Sequence, residues 1–169
     1  MKWKELTKIG ISGSRSYPGL SWCGIWLEKY ITKNFESSEN VVVIHGGALG
    51  VDSMIESTCF RRGIKCLTIP ARWVELEKVA GPRRNQHIVD LCNEFYAFWD
   101  GKSPGTKSAI NMAKKAGKLI KVYSPEDLRK EVGAAKIVSM SVSSKTKKAG
   151  IKRLKKTMQE AKDYFADLD

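Results

Sequence analysis

Four short stretches of the chain hold residues suited to gripping an anion. Gly13-Ser14-Arg15 offers a backbone nest, a hydroxyl and a guanidinium able to take a phosphate bidentately. His45-Gly46-Gly47-Ala48-Leu49-Gly50-Val51-Asp52 reads as a glycine turn running into a helix. The first N–H groups of such a helix lack carbonyl partners and carry partial positive charge. Gly81-Pro82-Arg83-Arg84-Asn85 adds two cations and an amide, and Ser103-Pro104-Gly105-Thr106 adds hydroxyls and free N–H groups at another helix start. The groups here that titrate are His45, Asp52 and Asp100, the candidates for acid–base work. They also have plain structural uses: Asp52 as a helix cap or sugar ligand, Asp100 as a turn residue, and His45 as a hydrogen-bonder at a strand end.

The elements that would position these stretches follow from hydrophobic periodicity. Lys8–Ser12 reads as a first strand and Leu20–Phe35 as an amphipathic helix with Trp22, Ile25, Trp26, Tyr30 and Ile31 at helical spacing. Val41-Val42-Val43-Ile44 is a β-branched run expected to be buried on both faces. Ser53–Arg62 is the next helix, with Met54, Ile55, Thr58, Cys59 and Arg62 available for its inner side. Lys65–Pro70, with Cys66-Leu67-Thr68-Ile69 as its body, is a third strand, and a short helical turn is expected through Trp73 and Leu76. Pro82 is placed as the first residue of a helix reaching about Cys92. Glu94–Trp99 is a fourth strand, followed by a helix to Ala116 that closes at Gly117, and Leu119–Tyr123 is a fifth. Ser124 caps a short last helix.

Five alternations of strand and helix predict an α/β fold, a doubly wound, mainly parallel five-stranded sheet with helices on both faces. Right-handed crossovers would then bring the loops after strands one to four to one edge of the sheet. The expected division is a domain over 1–132 and a basic C-terminal extension over 133–169. Within the extension, residues 134–144 read as an edge strand or a linker. Ile151, Leu154, Met158, Ala161, Phe165 and Leu168 then recur at steps of three and four on a basic helix.

At 169 residues the chain is long enough for a real core, and its formal net charge of +12 favours anionic partners of several kinds. The extension is positive from Lys136 to Lys156, where no acid interrupts it, a pattern equally typical of a solvated surface. No apolar h-region follows Met1 and no apolar run approaches membrane-spanning length, so a cytoplasmic protein with no membrane partner is expected. Cys23, Cys59, Cys66 and Cys92 form no CxxC pair and read as small buried hydrophobes, three of them in helical stretches. With two histidines in the chain, no metal site is assigned.

Two familiar nucleotide folds are excluded. The glycine loops lack the Lys-Ser or Lys-Thr ending of a Walker A motif. The dinucleotide fingerprint fails as well, with Gly10-Ile11-Ser12-Gly13 at its first position and His45 where an acid is expected. In series, however, Gly13-Ser14-Arg15, the His45–Asp52 octapeptide, Gly81–Asn85 and Phe98-Trp99-Asp100-Gly101-Lys102-Ser103-Pro104-Gly105-Thr106 resemble the YspA-type branch of the SLOG superfamily. That superfamily also holds the DNA-processing protein DprA (Smf) and the LOG phosphoribohydrolases. The resemblance spans about Ile9 to Val122. It implies a Rossmann-like domain that binds nucleotides or nucleotide-derived ligands, commonly as a homodimer. Two departures stand out. The family turn GGARGVD has Leu49 in place of its Arg, and the LOG catalytic Glu falls on Ala109, which has no acid or base to offer.

Three functions remain in competition. The first is a binding module holding a nucleotide or ADP-ribose-like ligand through Gly13, Ser14, Arg15, His45, Gly46, Gly47, Ala48, Gly50, Asp52, Arg83, Asn85, Asp100, Ser103, Gly105 and Thr106. The second is an N-glycosidic hydrolase using Asp52 or Asp100, and the third is a nucleic-acid binder acting through the basic extension. The extension contains no aromatic residue between Lys136 and Lys156 for base stacking. The abundance of anion-binding groups over catalytic ones favours the first.

Overall fold

A computed structural model of the chain describes residues 2–133. The expectations for 134–144 and for the stripe from Ile151 to Leu168 lie outside the described residues.

Five strands, β1 (Thr7–Gly13), β2 (Val41–His45), β3 (Lys65–Thr68), β4 (Glu94–Phe98) and β5 (Leu119–Tyr123), form one sheet in the order β3-β2-β1-β4-β5. Every pairing is parallel, which sharpens the expected "mainly parallel" sheet. β2 is buried at all five positions, as its unbroken β-branched run requires of a strand covered on both faces. In register, Gly10 lies opposite Ile44 on one side and Phe95 on the other.

Helices α1 (Leu20–Asn34), α2 (Val51–Arg62) and α6 (Pro125–Val132) cover one face, α4 (Ala80–Leu91) and α5 (Pro104–Lys115) the other. The first face is anchored by Trp26, whose ring meets those of Tyr30, Tyr96, Phe98 and Tyr123 at centroid distances of 5.0–5.6 Å. Its indole N–H donates to the Tyr123 hydroxyl at 2.9 Å, which in turn donates to Glu131 at 2.7 Å, tying α1, β5 and α6 together. On the second face Ile88 and Val89 of α4 and Ala109 and Ala113 of α5 pack on Val42, Ile44, Phe95 and Ala97.

Several boundaries differ from the sequence reading. α2 starts at Val51, two residues before the expected Ser53, and Arg62 leaves the inner face to pair with Glu28 at 2.6 Å. The short helix α3 (Trp73–Leu76) occurs as expected, followed by a 3-10 turn. α4 then begins at Ala80, so Pro82 is its third residue rather than its first. The first turn tolerates this, because its N–H groups lack intrahelical partners anyway. Cys66 lies in β3, and all four cysteines are free and buried. β5 and the Ser124 cap, whose hydroxyl accepts from the Asp127 N–H, fall where the sequence places them. No helix among the described residues is long and apolar enough to cross a membrane.

Candidate functional site

Because all five strands run the same way, the turns after β1, β2 and β4 and the start of α4 reach the C-terminal edge of the sheet together. The strand order reverses direction between β1 and β4, the switch point at which such sheets open a crevice. Ser14 spans this point. Its hydroxyl donates to Asp100 Oδ1 at 2.9 Å and accepts from the Asp100 N–H at 3.2 Å.

The β2–α2 turn is laced internally. Asp52 is the second residue of α2 and does not cap it; Gly50 occupies the cap position. Instead, Asp52 Oδ2 accepts from the Gly46 N–H (3.1 Å) and the Ala48 N–H (3.2 Å), folding the turn back on its own helix. The Gly47 N–H approaches His45 Nδ1 at 3.0 Å. A backbone amide can only donate, so Nδ1 accepts and the neutral ring carries its proton on Nε2. That nitrogen faces Sγ of Cys66, in the neighbouring strand β3, at 3.1 Å, and His45 at the end of β2 has no exposed surface.

The glycines of this turn are filled from outside it. A Cβ on Gly50, whose φ is +87°, would overlap the Arg15 carbonyl, and one on Gly13 would overlap the Val51 side chain. A Cβ on Gly46 would overlap the guanidinium of Arg84. These glycines therefore let two loops and a side chain pack in close contact.

Of the two cations in Gly81–Asn85, Arg84, which the ligand-binding set drawn from the sequence left out, is the one that reaches the β2–α2 turn. Its Nη1 donates to the Gly46 carbonyl at 2.5 Å and its Nε to Asn85 Oδ1 at 2.9 Å. Nη2 makes no hydrogen bond among the described residues and is not enclosed. Burial draws the Arg84 proton affinity down from its ordinary level; nearby Asp52 opposes this and the neighbouring cation Arg15 adds to it. Arg15 itself is exposed, as is Arg83. The missed signal was helical phase: with Asn85, Ile88 and Val89 facing inward, position 84 lies on the flank of that face and position 83 outside it.

The remaining predicted residues divide in two groups. Ser14, Asn85 and Thr106 are buried and engaged within the protein. Asn85 Nδ2 donates to the Gly105 carbonyl at 3.2 Å, and the Thr106 hydroxyl donates to Ser103 Oγ at 3.1 Å. By contrast, Gly101 and Gly105 have nothing within 4 Å of where a Cβ would be, so the β4–α5 corner stands open. Ser103 caps α5 there. Asp100 Oδ1 accepts from the Ser103 and Lys102 amides, each at 2.9 Å, and these bonds hold its carboxyl below the usual range. Asp52 goes the other way: burial raises its proton affinity, and His45, the turn amides and Arg84 only partly offset this. Ala109, where the resemblance would put the LOG Glu, is 1% exposed in the apolar layer of α5.

An all-parallel sheet with helices on both faces and a polar rim at its switch point defines the Rossmann-like α/β class. No protein-family model matches the chain, and no curated protein does. A structural neighbour is DNA processing protein A from Helicobacter pylori, a protein with a single-stranded DNA binding mode. The TM-score is 0.55 at 20% identity, covering 79% of this chain and 76% of that one. At that identity the likeness speaks for the fold.

Proposed function

We propose that the C-terminal rim binds a nucleotide or nucleotide-derived ligand, with its phosphate held between Arg15 and Arg84. The observation that carries this reading is that both arginines meet the same β2–α2 turn, the Arg84 guanidinium at Gly46 and the Arg15 backbone at Gly50. Arg84 is fixed by Gly46 and Asn85 through Nη1 and Nε, which leaves Nη2 without a hydrogen bond among the described residues, while Arg15, whose backbone lies against Gly50 of the same turn, is exposed. Like charges held close repel, and an anion between them removes the repulsion and gains charge-assisted hydrogen bonds. The open start of α5 at Gly105, on the other side of Arg15's loop, adds a helix dipole of the right sign. The four motifs, carried in series along this rim, support assignment to the YspA-type branch of the SLOG superfamily. Binding is favoured over glycosidic cleavage, since His45 and Asp52 are buried, Asp100 is engaged by turn amides that hold its carboxyl low, and Ala109 stands where the resemblance would put the LOG acid.

A thermal-shift and native mass-spectrometry panel of nucleoside monophosphates, cyclic nucleotides and ADP-ribose tests the reading. At least one ligand should raise the melting temperature of the wild type, and Arg15→Ala should abolish the rise without lowering the ligand-free melting temperature. Equal responses in both proteins would remove Arg15 from the site.

A second reading, single-stranded nucleic acid, is favoured by the DNA-binding neighbour of the same fold and by the +12 charge. Fluorescence anisotropy with a labelled oligonucleotide decides it. Affinity should fall steeply and log-linearly with salt if several phosphates are contacted, and salt-insensitive binding or none discards it.

A further inference from the structure

The binding reading leaves one group unexplained. Asp52 is 4% exposed, and its Oδ1 is fully enclosed with no hydrogen-bond partner, although Oδ2 takes two amide donors. An enclosed carboxylate oxygen without a donor is unfavourable unless a nearby cation compensates it. The groups facing Asp52 are few. β2 supplies His45, whose Nδ1 is already an acceptor, the turn supplies the Gly46 and Ala48 amides, and α4 supplies Arg84. Arg84 donates to the Gly46 carbonyl and not to Asp52, so its help is through space and depends on its charge staying uncompensated.

Resting on the phosphate-binding reading above, we propose that anion binding at this rim is coupled to proton uptake by Asp52. A phosphate on Arg84 Nη2 cancels Arg84's share of the compensation that makes the buried carboxylate tolerable, leaving His45 and the two turn amides to carry the rest. The carboxylate then accepts a proton from solvent onto Oδ1, becoming a neutral acid while Oδ2 keeps its two amide bonds. The covalent balance is one O–H bond formed, with the proton drawn from buffer. Burial already raises Asp52 from its ordinary 3.8, so the uncharged form lies within reach of such a change. Affinity for the anion should therefore increase as pH falls.

Isothermal titration calorimetry of the full chain with ADP-ribose, and separately with sulfate, tests this in buffers of different ionisation enthalpy. Neither probe has the near-neutral second ionisation of a phosphate monoester, so near neutral pH any proton exchanged belongs to the protein, and the sulfate arm extends this to acid, where the adenine ring itself titrates. The expected result is a net uptake by the wild type that increases on acidification. Asp52→Asn should bind severalfold more tightly at neutral pH and exchange no proton. Should that variant fold poorly, the pH dependence of the wild-type dissociation constant carries the same information. Binding with no uptake at any pH overturns the coupling and leaves the phosphate site standing. Uptake that survives in Asp52→Asn places the proton on a group other than Asp52 and also overturns it. Absence of binding by either probe removes both the coupling and the reading beneath it.

Discussion

The β2–α2 and β4–α5 corners carry the same kinds of residue, glycines and an aspartate at the mouth of a helix, and use them in opposite ways. In the first corner the glycines bring protein against protein. Arg15 lies against Gly50, Arg84 fills the space before Gly46, and Asp52 is sealed beneath. In the second, Gly101 and Gly105 face open space, and Asp100 sits at the surface of a turn that it organises through two amides. A glycine motif thus marks close approach, and what approaches is decided by neighbouring elements. The rim that results is closed at one end and open at the other, with Arg15 between them.

Substitutions at the two corners should separate accordingly. Gly50→Ala combines a positive φ with a backbone overlap and is expected to lose about 2–5 kcal/mol in urea unfolding. A loss below about 1 kcal/mol would mean that the corner is looser than described. Gly46→Ala should be milder, since the tip of Arg84 gives way before any backbone does. The predicted loss is about 1–3 kcal/mol with roughly tenfold weaker anion binding, measured by calorimetry. Unchanged binding would take Arg84 out of the site.

The two aspartates should tilt the acid limb of the stability curve in opposite directions. Asp100 is held below its ordinary 3.8, so its contribution is fully present above that value and lost as pH falls through the lower folded value. Asp52 is raised, so stability declines as pH climbs from 3.8 through its folded value. Urea melts from about pH 3 to pH 6 should therefore show Asp100→Asn flattening the acid loss and Asp52→Asn removing the opposing slope. Slopes of the same sign in both would contradict the assignment. Gly105→Ala, inside the first turn of α5 with room around it, should be the smallest effect, a gain of about 0.4–1 kcal/mol.

Most of the scaffold could be read from residue order because its signals are local. The Val41–Ile44 run, the Ser124 cap and the strand Leu119–Tyr123 each depend on a few adjacent residues, and each falls in place. The convergence of the turns could also be read, since crossover handedness leaves parallel strands one arrangement. The inner use of the residues could not. That Asp52 would fold the turn and not cap the helix depends on α2 beginning two residues early. That Arg84 and not Arg83 would reach Gly46 depends on α4 beginning at Ala80, which sets the helical phase, and on a carbonyl 38 residues away in sequence. Ser14, Asn85 and Thr106 have the right chemistry for a ligand, yet each has a partner within the protein.

Arg84 is moored by two acceptors, the Gly46 carbonyl and Asn85 Oδ1, neither of which belongs to its own side chain. An Arg84→Ala protein would therefore hold a flat, acceptor-lined slot shaped for a small guanidine. Added methylguanidine should refill it, turning an internal contact into a handle by which the rim can be emptied and restored at will.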